Sequence, residues 1–346
     1  MPVKTDVISG FLGAGKTTLI TKLLKDVFAG KKVVLVENEF GEIGIDGGFL
    51  KEAGIVINEV NGGCICCTLQ GDFQKALKQV VEQYHPDHII IEPSGVGRLS
   101  DILSIVKSVD GLVLNSYSTV VDAKRCATYH KNFKDFFDDQ IATAACVILS
   151  RTQMTDDETL QKDLAIIREL NPDARVLTTP WDELNGNAIF EAMEGSSNGF
   201  PENIKAADDH SVEEHNHHHE PNEDEAKANE GLSKGNRIRL NIDDDDDEEE
   251  EDNGIPDADD VFDSIGIETI NKYTEDDIRK ALSGLGDNIV RAKGIVPAKN
   301  SDEWLFFDYV PGSTDIRKGE PAYTGLITVI GTEVDVDQIK NLFQVK

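Results

Sequence analysis

Residues 10–18, Gly-Phe-Leu-Gly-Ala-Gly-Lys-Thr-Thr, complete the G-x-x-x-x-G-K-[ST] pattern at Gly10, Gly15, Lys16 and Thr17, and no other stretch restricts the fold as much. Such a loop functions only between a strand and a helix. Residues 3–8 read as the strand, and residues 17–28 carry Leu19, Ile20, Leu23, Leu24 and Val27 at helical spacing. Glycines let backbone N–H groups close around phosphate oxygens, and the helix start adds positive potential. The expected phosphate site is therefore Gly10, Gly13, Ala14, Gly15, Lys16, Thr17 and Thr18, with Lys16 reaching the β/γ oxygens and Thr17 Oγ1 on Mg²⁺.

The next 170 residues alternate in type. Short apolar runs at 33–36, 55–60, 88–91, 118–121, 146–149 and 175–177 read as strands, and 73–84, 100–109, 133–145 and 157–170 read as helices. That alternation predicts an α/β nucleotide-hydrolase fold, a mostly parallel sheet flanked by helices on both faces. Ligands in such sheets sit at the carboxyl ends of strands, where Gly10, Glu37, Glu92 and Ser150 fall. The run 88–95 ends in Glu92-Pro93-Ser94-Gly95, an acid for the Mg²⁺ shell and a glycine amide for the terminal phosphate, so Lys16 and Glu92 are the expected catalytic pair. Ser150-Arg151-Thr152-Gln153 stands where a guanine-reading N/T-K-x-D element belongs. Gln153 offers one carbonyl acceptor where an Asp would accept from two donors of guanine, and Arg151 is expected to stack on the purine.

Charge divides the chain. The net charge is −31, yet residues 202–263 hold 24 Asp/Glu against 5 Lys/Arg, which leaves −12 for the rest. An acidic surface argues against nucleic acid and anionic membrane as partners, and no apolar run approaches the roughly 18 residues that span a bilayer. Residues 1–6 show no leader pattern, so a cytoplasmic location is expected. The segment 196–260, with His210, His215, His217, His218 and His219 and then ten consecutive acids at 243–252, reads as a low-complexity linker, within which 237–242 alternates like a short strand. From 261 order resumes: a strand at 265–270, a helix capped by Thr274 and Asp277, strands at 289–296, 304–310 and 326–330, and a helix at 335–343. The expected organisation is a nucleotide domain over 1–195, the linker over 196–260, and a small α+β domain over 261–346.

Cys64-Ile65-Cys66-Cys67 follows two glycines, and thiolates so crowded suit Zn²⁺ and other soft or borderline metals. Four residues cannot close a tetrahedral site, and Glu37, ending the neighbouring strand, is the expected further ligand. His215, His217, His218 and His219 are candidates for weaker binding. Cys126 and Cys146 are isolated and expected in the core.

Together the phosphate loop, Glu37-Asn38-Glu39-Phe40-Gly41-Glu42, Cys64-x-Cys66-Cys67, Glu92-x-Ser94-Gly95, Val121-Asp122-Ala123 and Arg291-Ala292-Lys293-Gly294 resemble the CobW-type GTPases, metallochaperone relatives of the nickel-inserting accessory GTPases. The resemblance implies a GTPase that uses GTP with Mg²⁺, loads a metal (zinc, with Co²⁺ and Ni²⁺ as alternatives) at the cysteine motif, and delivers it to a client metalloprotein. Hydrolysis is expected to be slow without a partner, since no arginine finger stands in the motifs. A nucleotide-dependent homodimer is a further expectation. Two other readings compete. One is a metal buffer or sensor with a vestigial nucleotide centre; the other is a small-metabolite kinase with structural cysteines.

Overall fold

The structure is a computed structural model that describes residues 2–39, 56–61, 70–196, 200–201, 204, 237–239, 258–299, 301, 303–319 and 324–345. The Cys64, Cys66 and Cys67 motif, the histidines at 210–219 and the acidic run lie outside them.

β1 (Val3–Ser9) leads through the glycine loop into α1 (Lys16–Asp26). In chain order there follow β2 (Val33–Glu39), β3 (Val56–Asn61), α2 (Gln70–Tyr84), β4 (His88–Glu92), α3 (Leu99–Ser108), β5 (Leu112–Asp122), α4 (Cys126–Asn132), α5 (Lys134–Thr143), β6 (Cys146–Ser150), α6 (Asp157–Leu170), β7 (Arg175–Leu177), α7 (Gly186–Glu194) and β8 (Arg237–Arg239). The strands form one eight-stranded sheet in the order β7-β6-β5-β1-β4-β2-β3-β8, every pair parallel. Strands buried on both faces need apolar residues at consecutive positions, and β4 shows why. Ile89 packs with Val7, Phe73 and Leu103 on one face, and the adjacent Ile90 with Leu19, Leu23 and Phe190 on the other. This is the α/β architecture the alternation predicts.

Two departures have physical causes. β5 begins at Leu112, six residues before the expected strand, because its first half carries polar Asn115 and Ser116. Both donate to Asp6 Oδ1, at 2.8 and 2.6 Å, and His88 Nε2 meets the other oxygen, so this polar cluster is satisfied inside the sheet. The helix α7 goes beyond the elements the sequence predicts. Asn185 caps it, and Gly186 N donates to Asp26 Oδ2 of α1 at 2.8 Å.

The C-terminal part contains α8 (Ala258–Val261), β9 (Asp263–Thr269), α9 (Glu275–Ser283), β10 (Ile289–Pro297), β11 (Trp304–Val310), β12 (Ser313–Gly319), β13 (Gly325–Gly331) and α10 (Val336–Leu342). Thr274 and Asp277 form the expected reciprocal cap on α9. The five strands pair antiparallel in the order β12-β11-β10-β13-β9. β12, absent from the sequence reading, is an edge strand of composition Ser-Thr-Asp-Ile-Arg-Lys-Gly, too polar to show an apolar period. One sheet face buries Ala292, Phe307, Ile327 and Val329 against Ile278 and Leu282 of α9 and Ile339 of α10. By strand alternation and register, the opposite face carries Arg291 and Lys293 of β10, Asp308 of β11 and Asp315 and Arg317 of β12.

That second face looks toward the nucleotide domain. Phe262, between α8 and β9, packs its ring against Phe133 at 5.3 Å, Phe136 at 5.8 Å and Phe11 of the glycine loop at 6.2 Å. Val290 and Ile330 join the same apolar cluster.

Candidate functional site

The glycine loop is held from several sides. α1 opens on Gly15 in the left-handed region with no side-chain cap, whereas α6, α7, α9 and α10 open on Asp156, Asn185, Thr274 and Asp335, whose side chains accept first-turn N–H groups. A glycine-led helix start of this kind presents amides and the positive end of the helix to an anion. Gly13 sits at φ +69°, and a Cβ there would lie 2.3 Å from Val310 Cγ1, so only glycine fits beneath the second sheet. Phe11 is buried and its ring lies 4.6 Å from that of Tyr129 and 5.1 Å from that of Phe133. The loop is therefore anchored in the core through its own second residue.

Lys16 is buried; its Nζ donates to Gly10 O at 2.8 Å and lies 3.9 Å from Glu92 Oε1. Thr17 Oγ1 donates to the two Glu92 oxygens at 3.3 and 3.4 Å. A hydroxyl and a carboxylate converging in this way are hard oxygen donors, the kind Mg²⁺ takes beside nucleotide phosphates. Gly95 packs on the loop from the other side: a Cβ there would lie 2.9 Å from Leu12 N. Gln140 Nε2 fixes that segment by donating to Gly95 O at 3.2 Å and Gly97 O at 2.7 Å. Thr18, Ala14 and Gly15 line the same cavity as Lys16, Thr17 and Glu92.

On the side expected to read the base, the residues diverge. Ser150 Oγ donates to Ala14 O at 2.7 Å. Arg151 adopts φ +57° and turns its guanidinium to Gly13 O, at 3.0 Å, and to an ion pair with Asp122, so it braces the phosphate loop instead of standing clear to stack on a purine. Gln153 sits exposed in the 3-10 turn Thr152–Met154. Trp181, in the 178–181 loop whose backbone carbonyls the sequence offers as a second reader of the base, donates from Nε1 to Leu149 O at 3.0 Å, and its ring stands beside Gly15. Its only sequence signal is its place just after β7.

Glu37 is buried on β2 in register with Glu92 of β4 on one side and Glu59 of β3 on the other. In sequence, Cys64 follows Asn61, the end of β3, by three positions. Among the described residues no group of three His, Cys, Asp or Glu is placed to hold a metal ion. Cys126 and Cys146 are buried and free, and burial drives both thiols up, Cys146 to about 12, so neither is a thiolate at neutral pH. No helix among the described residues is long and apolar enough to cross a membrane.

The model of the CobW/HypB/UreG nucleotide-binding domain matches residues 4–178, and that of the cobalamin synthesis protein CobW C-terminal domain matches 262–345. The zinc chaperone CobW of Sinorhizobium sp. is 32% identical over 255 residues, 64% of this chain and 71% of that one. The zinc chaperone YeiR of Escherichia coli is 33% identical over 161 residues, 46% of this chain and 49% of its own. The zinc-regulated GTPase metalloprotein activator 1 of Schizosaccharomyces pombe is 30% identical over 223 residues, 59% and 52%. The chain thus spans about half the length of the latter two. The nucleotide-domain match covers half the chain and contains the loop, Glu37, Glu92 and Arg151 whose geometry is described above. On that ground the chain belongs to the CobW/HypB/UreG family, as a GTPase of the CobW type that carries the family's C-terminal domain.

Proposed function

We propose that this chain is a zinc chaperone in which GTP controls the hold on the metal: zinc is taken by Cys64, Cys66, Cys67 and Glu37, and is handed to a client metalloprotein after hydrolysis. The observation that carries the reading is the register of β2 on β4, which sets Glu37 directly beside Glu92. One carboxylate belongs to the proposed metal set and the other to the phosphate end of the nucleotide site, so a displacement of either strand end reaches both. The names of the relatives, two zinc chaperones and a zinc-regulated activator, support zinc as the cargo.

In this scheme Lys16 would leave Gly10 O for the β/γ oxygens, and Thr17 Oγ1 and Glu92 would hold Mg²⁺, which when bound would neutralise charge on the phosphates. The Gly95 segment, fixed by Gln140 through the Gly95 and Gly97 carbonyls, would offer its amide to the terminal phosphate. The thiolate set is soft and the magnesium pair hard, which keeps the two metals in their own places.

The test is a Zn²⁺ titration of the full chain with and without Mg²⁺ and a non-hydrolysable GTP analogue. We expect zinc affinity to rise at least severalfold with the nucleotide, and Glu37→Gln to abolish the difference. Identical affinity in both conditions would return the chain to the buffer reading.

A further inference from the structure

The cavity at the phosphate loop has two walls. One is the loop itself, Gly13 to Thr18, with Glu92 and Arg151; the other is the second sheet, with Arg291, Asp308, Val310, Ser313, Asp315 and Arg317. Together they enclose about 200 Å³. We propose that the C-terminal sheet completes the triphosphate site, with Arg317 and Arg291 binding the terminal phosphate of the nucleotide across the cavity from Lys16. The proposal rests on the nucleotide reading of the glycine loop.

Three observations carry it. First, the sheet face concerned is the one without helices, which in an α+β layer ordinarily meets water; here it is turned onto the loop, with Val310 against Gly13. Second, the chain as a whole has 65 acids to 34 Lys and Arg, but the residues lining this cavity bring four cations (Lys16, Arg151, Arg291, Arg317) against three acids (Glu92, Asp308, Asp315). The surplus of one comes from the loop wall, and the second wall is balanced at two arginines to two aspartates. The cavity lining as a whole is thus slightly basic in a very acidic protein, and the second wall adds two guanidiniums that a phosphate can draw from their aspartates. Third, the second sheet meets the Lys16, Thr17 and Glu92 end of the site, and neither Gln153 nor Trp181 lines the cavity, so what it covers is the phosphate end and not the base.

Each arginine has an acidic partner on its own sheet: Arg291 Nη2 lies 3.1 Å from Asp308 Oδ2, and Arg317 pairs with Asp315 on the adjacent turn of the strand pleat. Guanidinium forks match phosphate oxygens in two-point geometry and exchange a carboxylate for a phosphate with little reorganisation. A diphosphate, ending short of the second wall, would leave both arginines on their aspartates. The C-terminal domain therefore distinguishes triphosphate from diphosphate.

The experiment measures binding of a non-hydrolysable GTP analogue and of GDP to the full chain and to Arg317→Ala, Arg291→Gln and Asp315→Asn. Arg317 is on an exposed edge strand, so its removal leaves the fold intact. We expect Arg317→Ala to weaken the analogue about tenfold and GDP less than about twofold, as loss of a charged hydrogen bond would. Asp315→Asn, which removes one carboxylate that competes with phosphate for Arg317, should strengthen the analogue severalfold. An analogue-to-GDP ratio unchanged in all three variants would overturn the inference while leaving the glycine-loop reading standing. If the unaltered chain bound neither nucleotide, or Lys16→Ala bound both normally, that reading would fall and the inference with it.

Discussion

Asp163 on α6 is almost wholly buried, and its Oδ2 has no hydrogen-bond partner among the described residues. Burial, together with the nearby Asp122 carboxylate, raises its carboxyl from 3.8 to about 7, against a smaller opposing effect from the Cys126 thiol. The folded chain therefore keeps a proton on Asp163 through a range in which the unfolded chain has lost it. Folding binds more protons there, so this group costs stability as pH rises from about 4, and the cost levels off above about 7. A carboxyl carried from 3.8 to about 7 costs about 4 kcal/mol as an upper figure. Asp163→Asn removes the ionisation while keeping the shape. Urea denaturation of both proteins at pH 5, 6, 7 and 8 should give a stability difference that grows in favour of the variant with each step and flattens near pH 8. A difference that stays constant from pH 5 to 8 would refute the reasoning.

Gly13→Ala should destabilise by about 1–2 kcal/mol for the left-handed backbone and by a further ~1–3 kcal/mol for overlap with Val310. Combining it with Val310→Ala should recover the second part only, read as a double-mutant cycle in urea. Lys16→Ala should abolish GTP hydrolysis and weaken nucleotide binding, checked by phosphate release and by analogue titration; ordinary turnover would sink the assignment. Gln153→Asp should widen the preference for GTP over ATP by roughly ten- to a hundredfold, as expected for a charged acceptor pair. Competition with GTP, ATP and ITP checks it, and a wild-type preference already as steep would show that the exposed Gln153 does not limit base reading.

What could be read from the sequence was what is written locally. Glycine spacing places the phosphate loop, unbroken apolar runs give the parallel strands, and the Thr274/Asp277 pair announces α9, because each signal is confined to a few neighbouring residues. What escaped depends on partners distant in sequence. The first half of β5 looks unlike a buried strand until Asp6 is set beside Asn115 and Ser116. β12 has no apolar period because it is an edge strand whose ladder supplies its hydrogen bonds. Arg151 reads as a purine-stacking residue until its left-handed backbone turns it back to Asp122 and Gly13. Val310 over Gly13 has no local signal, since it belongs to a different sheet.

The ring of Phe11 also bears on how the protein can be divided. A fragment ending before Ala258 would lack Phe262, and would bare part of Phe11 together with Phe133 and Phe136 beside the mouth of the nucleotide site. Aromatic surface of that kind is a site of self-association. A truncated nucleotide domain is thus expected to precipitate or dimerise through the patch that Phe262 covers, and its turnover would then report on aggregation state as much as on chemistry. Replacing Phe133 and Phe136 by polar residues in such a fragment, while keeping Phe11, is the change that should restore a well-behaved monomer.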